Sequence, residues 1–445
     1  MFVIVIVIAL AIVAFTTWSR NKDVFSPVKI GLAYMVLYYK PVFSLECDFR
    51  LQVIYLGLVG ILYVMACKEV PISDRNWGYA PNGTGASVLI WFTFPIFLMI
   101  ALTIGAVAYM ADDAQTVGGI RELTVASKLR VAGIAGLEGS YVRLFLFILL
   151  PYTSLGIYLL LFVTNRLSSI PWKILFFAHL LVVVAMGVLS LSRGSSLMPI
   201  ASYLVLRNYC EKKVSITFAA SVGGVLFLLA LVMGVAREHF YFDSSGELNL
   251  GLEKERSGSS FSMISLEYGT LGLQALLDLG PDTLSLGSTF LSLLTHPIPR
   301  TIFPGKLESG GVFFTRYYLG DWGGTSYSTP TILGEFVMSF GWLAGLVLGY
   351  LFYYILWIYV LKLYRFTWIY KPINPLLFCI LLFAYLRSIL IATGLLLGEF
   401  TNVVLYDFYI VAPVLYFLWQ RYRHLGLQRS FKEPSGLKMP ARTRP

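Results

Sequence analysis

Long apolar runs alternate with polar connections along the whole chain. The apolar segments predict spans near 1–18, 27–45, 50–66, 88–110, 142–163, 172–191, 195–206, 214–236, 331–360, 374–396 and 402–419. A helix that crosses a bilayer alone needs about 20 mainly apolar residues. The pattern therefore predicts an all-α polytopic membrane protein with about 11 transmembrane helices. Segment 27–45 is interrupted or flanked by Lys29, Lys40 and Pro41. Segment 195–206 is short, and suits a helix that dips in and returns. The first run, apolar from Phe2 to Phe15, has neither a basic leader nor an evident small-residue cleavage site. It is read as a retained span rather than a removed signal.

Two polar connections are long. One runs from Ala111 to Tyr141, the other from about Arg237 to Pro330. The second contains short apolar pieces, Leu271–Leu279 and Phe290–Leu294, which predict short helices on the membrane face, with a turn at Gly280-Pro281-Asp282. Loops of this length usually have a function. Four parts follow: a helix bundle over 1–236, a large extracytoplasmic loop domain over 237–330, further membrane helices over 331–419, and a basic tail over 420–445. No internal repeat is found, which weighs against a secondary transporter.

Composition agrees with solvation by lipid. Of 445 residues, 57% are hydrophobic and 13% charged, against about a quarter charged in soluble domains. The net charge of +10 would suggest nucleic acid in a soluble protein. Here the basic residues lie mainly in short connections. One set of alternate loops, 19–29, 68–87, 164–173, 207–213 and 361–373 with the tail, holds 20 basic and 5 acidic residues, while the rest holds 14 and 19. Positive loops stay in the cytoplasm, so the N-terminus is expected outside and the C-terminus inside. The cysteines (Cys47, Cys67, Cys210, Cys379) lack metal-like spacing and read as packing residues. The chain has no Walker A loop, dinucleotide fingerprint, HExxH or metal-ligand cluster. No cofactor, metal or nucleic-acid partner is expected.

Three stretches carry candidate chemistry. Ser192-Arg193-Gly194-Ser195-Ser196 ends the sixth apolar segment. Arg193 either snorkels to the interface or holds phosphate oxygens with its planar fork. The stretch from His296 to Lys306 has three prolines and a glycine that impose a rigid, non-helical path. It carries His296, Arg300 and Lys306, with Arg316 soon after, and reads either as an ordered turn or as a cradle for a diphosphate. The His296 imidazole is a candidate proton acceptor. The stretch from Gly320 to Pro330 presents Asp321, Trp322 and Tyr327, residue types that bind sugars, and Glu335 follows in an apolar setting. Glu335 is expected to face a protein interior or wet cavity, either paired with Arg387 or as a catalytic base. Arg237 closes the eighth apolar segment where a lipid phosphate would sit.

The Ser-Arg-Gly at a span end, the late external loop with Pro299-Arg300 and Pro304-Gly305-Lys306, and Thr329-Pro330 through Gly334-Glu335, Phe340-Gly341 and Gly345 together resemble the Wzy-type O-antigen or oligosaccharide repeat-unit polymerases. The resemblance covers about 170–360, and the remainder by topology. That family also places a glycine about ten residues after a loop arginine. Arg300 and Gly311 have this spacing, and segment 111–141 has no such pair. The resemblance implies a GT-C-like glycosyltransferase in a bacterial inner membrane, acting on undecaprenyl-pyrophosphate-linked oligosaccharides. It implies transfer of the growing glycan to an acceptor hydroxyl, with Arg193, Arg237, Arg300, Lys306 and Arg316 holding the diphosphate and His296 or Glu335 as base. A Wzz-type chain-length regulator is the implied protein partner. An O-antigen ligase shares these features, and a flippase for the same lipid is the alternative from another class.

Overall fold

A computed structural model describes residues 2–44, 46–70, 97, 99–101, 103–105, 107–108, 153–162, 166, 169–189, 193–239, 241–242, 248–249, 268–280, 284–298, 302–303, 305–320, 329–372, 374–413, 416 and 420. Their regular structure is helical apart from a two-residue antiparallel pair, Tyr241–Phe242 with Leu248–Asn249. Five of the described helices are long and apolar enough to cross a membrane: Phe2–Arg20, Phe49–Lys68, Ile170–Gly187, Trp342–Tyr370 and Leu377–Gly394. Large apolar side chains on them, such as Ile4, Phe15, Leu181 and Leu343, point outward, as lipid solvation favours and water does not.

The first three helices run in alternation. Helix α1 (Phe2–Arg20) leads to α2 (Pro27–Tyr38), a 3-10 turn (Lys40–Phe43) and α3 (Phe49–Lys68). The expected span 27–45 is thus shorter as a helix. Pro41 has no N–H for the α-helical ladder, so the chain tightens into the 3-10 turn. Asp48 caps α3, its side chain accepting from the Arg50 N–H. After α4 (Thr153–Phe162) come α5 (Ile170–Leu189), α6 (Arg193–Cys210) and α7 (Ile216–His239). Helix α6 has 18 residues, so the segment expected to dip and return is about 27 Å of continuous helix.

The expected span 331–360 is two helices. Helix α11 (Thr331–Phe340) stops at Gly341, whose φ of 78° ends the turn, and α12 (Trp342–Tyr370) runs back beside it. Gly345 permits that return: a Cβ there would lie 2.6 Å from the Phe336 carbonyl oxygen. With ten residues, α11 is about 15 Å long, half the hydrocarbon thickness. Helix α12, with 29 residues, is long enough to cross with length to spare. Helix α13 (Pro375–Gly394) returns, capped by Asn374, and α14 (Phe400–Tyr406) continues into a π-turn over Asp407–Val411. Tyr55, Leu58, Tyr353, Trp357, Tyr364, Phe378 and Tyr385 fill the core between α2, α3, α12 and α13.

Four segments that the charge pattern assigned to one membrane face meet at one end of this bundle. Asp23, in the α1–α2 connection, is fully buried. Its Oδ1 accepts from the Phe25 N–H (3.0 Å) and Asn208 Nδ2 (2.9 Å), and its Oδ2 from the hydroxyls of Tyr209 (3.0 Å) and Tyr364 (2.9 Å). Lys29 donates to the carbonyls of Asn21 (2.6 Å) and Asp23 (2.7 Å). Glu69, just past α3, accepts from Thr17 at 2.7 Å.

The other end carries a cap built from the long connection 237–330. Its helices are α8 (Tyr268–Leu279), α9 (Ser288–Thr295) and α10 (Gly310–Tyr317). The first two coincide with the short helices expected on the membrane face, and α10 is additional. Helix α8 seats directly on the start of α11, where a Cβ on Gly272 would lie 2.4 Å from the Thr329 carbonyl oxygen. Leu273 and Leu276 pack around Gly334.

Candidate functional site

The junction of cap and bundle buries two carboxyl groups. Glu335 lies on α11, and Glu399 is the N-cap residue of α14. Neither is accessible to solvent. The Phe400 N–H donates to Glu335 Oε2 at 2.7 Å, and the Gly311 N–H donates to Glu399 Oε2 in a short hydrogen bond. The exchange is reciprocal. Glu335 packs on Gly310, while Glu399 bonds the next residue of α10; Glu399 precedes Phe400, which bonds Glu335. A Cβ at position 310 would sit 2.7 Å from Glu335 Oε1, so only glycine lets the carboxyl group lie there. Among the described residues no donor meets Glu335 Oε1 in hydrogen-bonding geometry.

Burial takes Glu335 out of water, and Glu399 sets a second buried carboxyl group in the same junction. Around the pair, Ser292 and Thr401 are also fully buried, with their hydroxyls 2.8 Å apart, and Thr401 donates to the Thr289 carbonyl at 3.1 Å. The backbone at Thr331 has φ of 65°, a strained value for a β-branched residue.

Glu335 does not pair with Arg387 as the sequence suggested. Arg387 Nε and Nη2 grip Asp407 Oδ1 and Oδ2 at 2.6 and 2.5 Å. The fork faces α14, where Asp407 satisfies it bidentately, while Glu335 faces the cap.

The structure brings His296 and Lys306 together. His296 ends α9, half-buried, its N–H bonded to the Ser292 carbonyl at 2.8 Å. The Lys306 ammonium donates to the His296 carbonyl and, at 3.3 Å, to that of Ile298. It therefore orders the proline-containing turn as well as placing a positive charge there. Arg316, in the last turn of α10, pairs with Glu308. Arg193 opens α6 and Arg237 lies in the last turn of α7. Helix α6 ends on the Asp23 cluster through Asn208 and Tyr209. Helix α7 begins beside it, after the Val214 N–H that bonds Asn208 at 2.9 Å. The backbones of Arg193 and Arg237 are thus about 22 and 32 Å of helix away from that cluster. Arg300, Asp321, Trp322 and Tyr327 lie outside the described residues.

Sequence reasoning missed Glu399 and Gly310, and noted Gly311 only for its spacing from Arg300. The available signal was an acidic residue next to Gly398 between two apolar segments, a position that asks for a partner. It also missed a cleft of about 550 Å3 between the α2–α3 turn and α8, lined by Ser44, Glu46, Asp48, Thr270 and Gln274. Its volume suits a small ligand. The two acids repel a diphosphate, and Arg50 is committed to Asp48 at 2.6 Å. Among the described residues no group of three or more His, Cys, Asp or Glu has metal-binding geometry. Compared with family models, curated protein sequences and solved structures, the chain matches none.

Proposed function

We propose that this protein is a glycosyltransferase of a bacterial plasma membrane that polymerises lipid-diphosphate-linked oligosaccharide units on the extracytoplasmic face. The observation that supports it most is polarity of the bundle. The connection 237–330 supplies a helical cap at one end, carrying His296, Lys306 and Arg316, and α6 and α7 direct the backbones of Arg193 and Arg237 away from the other end. That other end gathers the loops whose charge favours the cytoplasm. This reading retains about 11 crossings, a GT-C-like arrangement, an external N-terminus and an internal C-terminus.

In the proposed reaction the acceptor sugar's hydroxyl oxygen bonds to the donor's anomeric carbon. The bond from that carbon to the lipid-diphosphate oxygen breaks, and its electron pair leaves with the diphosphate. The hydroxyl proton passes to the base. The leaving group keeps its charge, so the main requirement is fixed cations rather than an acid. Arg193, Arg237, Arg300, Lys306 and Arg316 supply them. His296 is the preferred base because it is half-buried and reachable, whereas Glu335 is sealed beneath the cap. Asp321, Trp322 and Tyr327 contact the sugars, and a chain-length regulator is a protein partner.

Purified protein in detergent is expected to lengthen a lipid-linked repeat unit. Arg193→Ala and Arg300→Ala are each expected to abolish polymer while the protein still inserts, and normal glycan ladders from both would overturn the site. A deletion strain is expected to make surface lipid capped with single units. Long unattached glycan in that strain would instead indicate a ligase, and transport without lengthening a flippase.

A further inference from the structure

Helix α9 is amphipathic in the sense opposite to that favoured by water. Thr289 and Ser292 are fully buried, while Leu291 and Leu294 point outward, 55% and 57% exposed. The buried hydroxyls have partners: Ser292 donates to the Thr289 carbonyl at 2.6 Å and lies 2.8 Å from the Thr401 hydroxyl. A helix at an aqueous surface turns its leucines inward and its hydroxyls outward. One solvated by acyl chains does the reverse, because polar groups there must be satisfied within the protein. The turn that enters the helix has the same character. Leu286 is 76% exposed and has φ of 48°, a left-handed backbone that glycine or asparagine adopts at less cost. Water rewards neither the exposure nor the strain, whereas lipid rewards the exposure. From Thr283 to Thr295 the chain carries no charged residue.

Contacts with the crossing helices fix the depth of α9. Helix α12 carries no charge from Trp342 to Leu361, about the 20 residues that a crossing needs. One boundary of the hydrocarbon therefore falls near Trp342 and the other near Lys362. Helix α11 runs antiparallel beside the first turns of α12, with Phe336 against Gly345 and Leu333 against Gly349, so it lies inside the Trp342 boundary. The Phe290 ring of α9 meets Phe336 at 4.8 Å and Phe400 at 5.4 Å. Both of those rings meet Phe352, at 5.6 and 6.0 Å, in the middle of the uncharged stretch. At the end of α9 the Tyr409 hydroxyl, from the π-turn beyond α14, donates to the carbonyls of Leu293 (2.8 Å) and Leu294 (3.3 Å). The turn before α9 is fastened to the end of α11. There the Ser285 N–H donates to the Met338 carbonyl at 2.9 Å, and a Cβ on Gly287 would meet the Phe340 ring at 3.8 Å. Leu286 thus adjoins Phe340 and Leu343, which are exposed on the outward side of α11 and α12.

We propose that the turn 284–287 and helix α9 form a re-entrant element sunk in the leaflet on the cap side, with Leu286, Leu291 and Leu294 against lipid acyl chains. The partner of this face is the bilayer. The inference rests on the membrane character of the long helices and is independent of the proposed reaction.

Spin labels on the full-length protein in phospholipid nanodiscs test it. Leu286→Cys, Leu291→Cys and Leu294→Cys are labelled, with Glu46→Cys as an exposed aqueous reference. The partly exposed native thiols are removed by Cys47→Ser and Cys67→Ser, and the buried Cys210 and Cys379 are kept. Oxygen concentrates in hydrocarbon, and a nickel chelate stays in water. The ratio of oxygen to nickel relaxation at the three leucine positions is expected to exceed that at position 46 by at least about fivefold. Ratios equal to that at position 46 would put α9 in water, and weak relaxation by both reagents would put protein over the face. Either result overturns the proposal. Leu286→Asn and Leu291→Asn give a second measurement. Asparagine suits the left-handed backbone at position 286, and at an aqueous surface either change leaves stability alone or improves it. In lipid each is expected to lower the midpoint of thermal unfolding by about 2 °C. Unchanged or raised midpoints for both would remove the lipid contact. Neither measurement involves substrate, so failure of this proposal and failure of the proposed function are separate results.

Discussion

Both ends of the bundle bury carboxylates, and two of them, Asp23 and Glu335, are held in opposite ways. At the Asp23 end four donors from three chain segments satisfy the two Asp23 oxygens, and Lys29 lies against the same loop. At the cap end Glu335 has one backbone donor, an oxygen without any, and a second carboxyl group as its neighbour. A fully satisfied network fixes a single arrangement. A half-satisfied one costs free energy and persists where something else requires it. The comparison assigns Asp23 to holding helices together and Glu335 to the seat of the cap.

The comparison breaks most readily at Asp23. Asp23→Ala strands Asn208 Nδ2 and the Tyr209 and Tyr364 hydroxyls in the interior and removes the acceptor that Lys29 sits beside. Loss of one partner from such a buried charged network costs about 3–5 kcal/mol. Denaturation in detergent is expected to show that loss at neutral pH, together with poor yield. Glu335→Ala should cost less, because its acid is already under-satisfied and disfavoured in the charged form. Equal losses at the two sites would erase the distinction between Asp23 and Glu335.

Gly310→Ala is the next largest test. Its Cβ would meet Glu335 Oε1 at 2.7 Å and Cδ at 2.8 Å, closer than packed atoms allow. Overpacking of this kind costs about 1–3 kcal/mol. The same substitution at Gly224, which has open space around the added Cβ and sits on α7, should cost nothing, or gain slightly from helix propensity. Unfolding midpoints of the two variants that matched would mean the cap does not depend on the close approach at Gly310.

Part of this was legible in the chain. The alternation of basic and acidic loops gathered 19–29, 68–87, 207–213 and 361–373 on one face, because lipid and membrane potential act on charge irrespective of sequence detail. The short helices α8 and α9 followed from apolar pieces set in a polar connection. The break at Gly341 did not, since hydropathy reports whether a residue is solvated by lipid and not which way the chain is heading. Gly341 and Gly345 were noted for their resemblance, but their physical work is to turn α11 back onto α12. The expected Glu335–Arg387 pair failed for a related reason. Opposite charges in an apolar stretch need partners, yet one dimension does not reveal that Asp407 is nearer to Arg387. Glu399 was passed over although its acidic side chain stood between two apolar segments, because the Gly311 N–H that bonds it has no signature in side-chain identity.

Lys306→Met carries a smaller expected effect and sharpens what the cap does. The ammonium bonds two main-chain carbonyls of the His296–Ile298 turn. Methionine keeps much of the side-chain bulk and removes the charge and its donors. The site is partly open to water, so the stability loss should stay near about 1 kcal/mol. If the turn's geometry and charge serve the reaction, lengthening of the lipid-linked substrate should fall about tenfold. Lys306→Arg should recover part of that loss, because guanidinium restores the charge but places its donors differently. A variant that kept full activity while losing stability would confine Lys306 to folding the turn.

Glu46→Gln has the smallest expected effect and tests where the substrate's charged part does not go. Glu46 and Asp48 line the cleft beside α8, and Asp48 is already occupied by Arg50. Glu46 is exposed, so stability should change by no more than about 0.5 kcal/mol. A hydroxyl-rich glycan lying in the cleft would lose one acceptor and gain an amide, which predicts a change in KM of about two- to threefold with kcat unchanged. A diphosphate there would instead bind better once a repelling charge was removed. Inorganic pyrophosphate inhibition of wild type and Glu46→Gln separates the two. Equal inhibition keeps the diphosphate with the cations of the cap, and markedly stronger inhibition of the variant would move it into the cleft and away from His296.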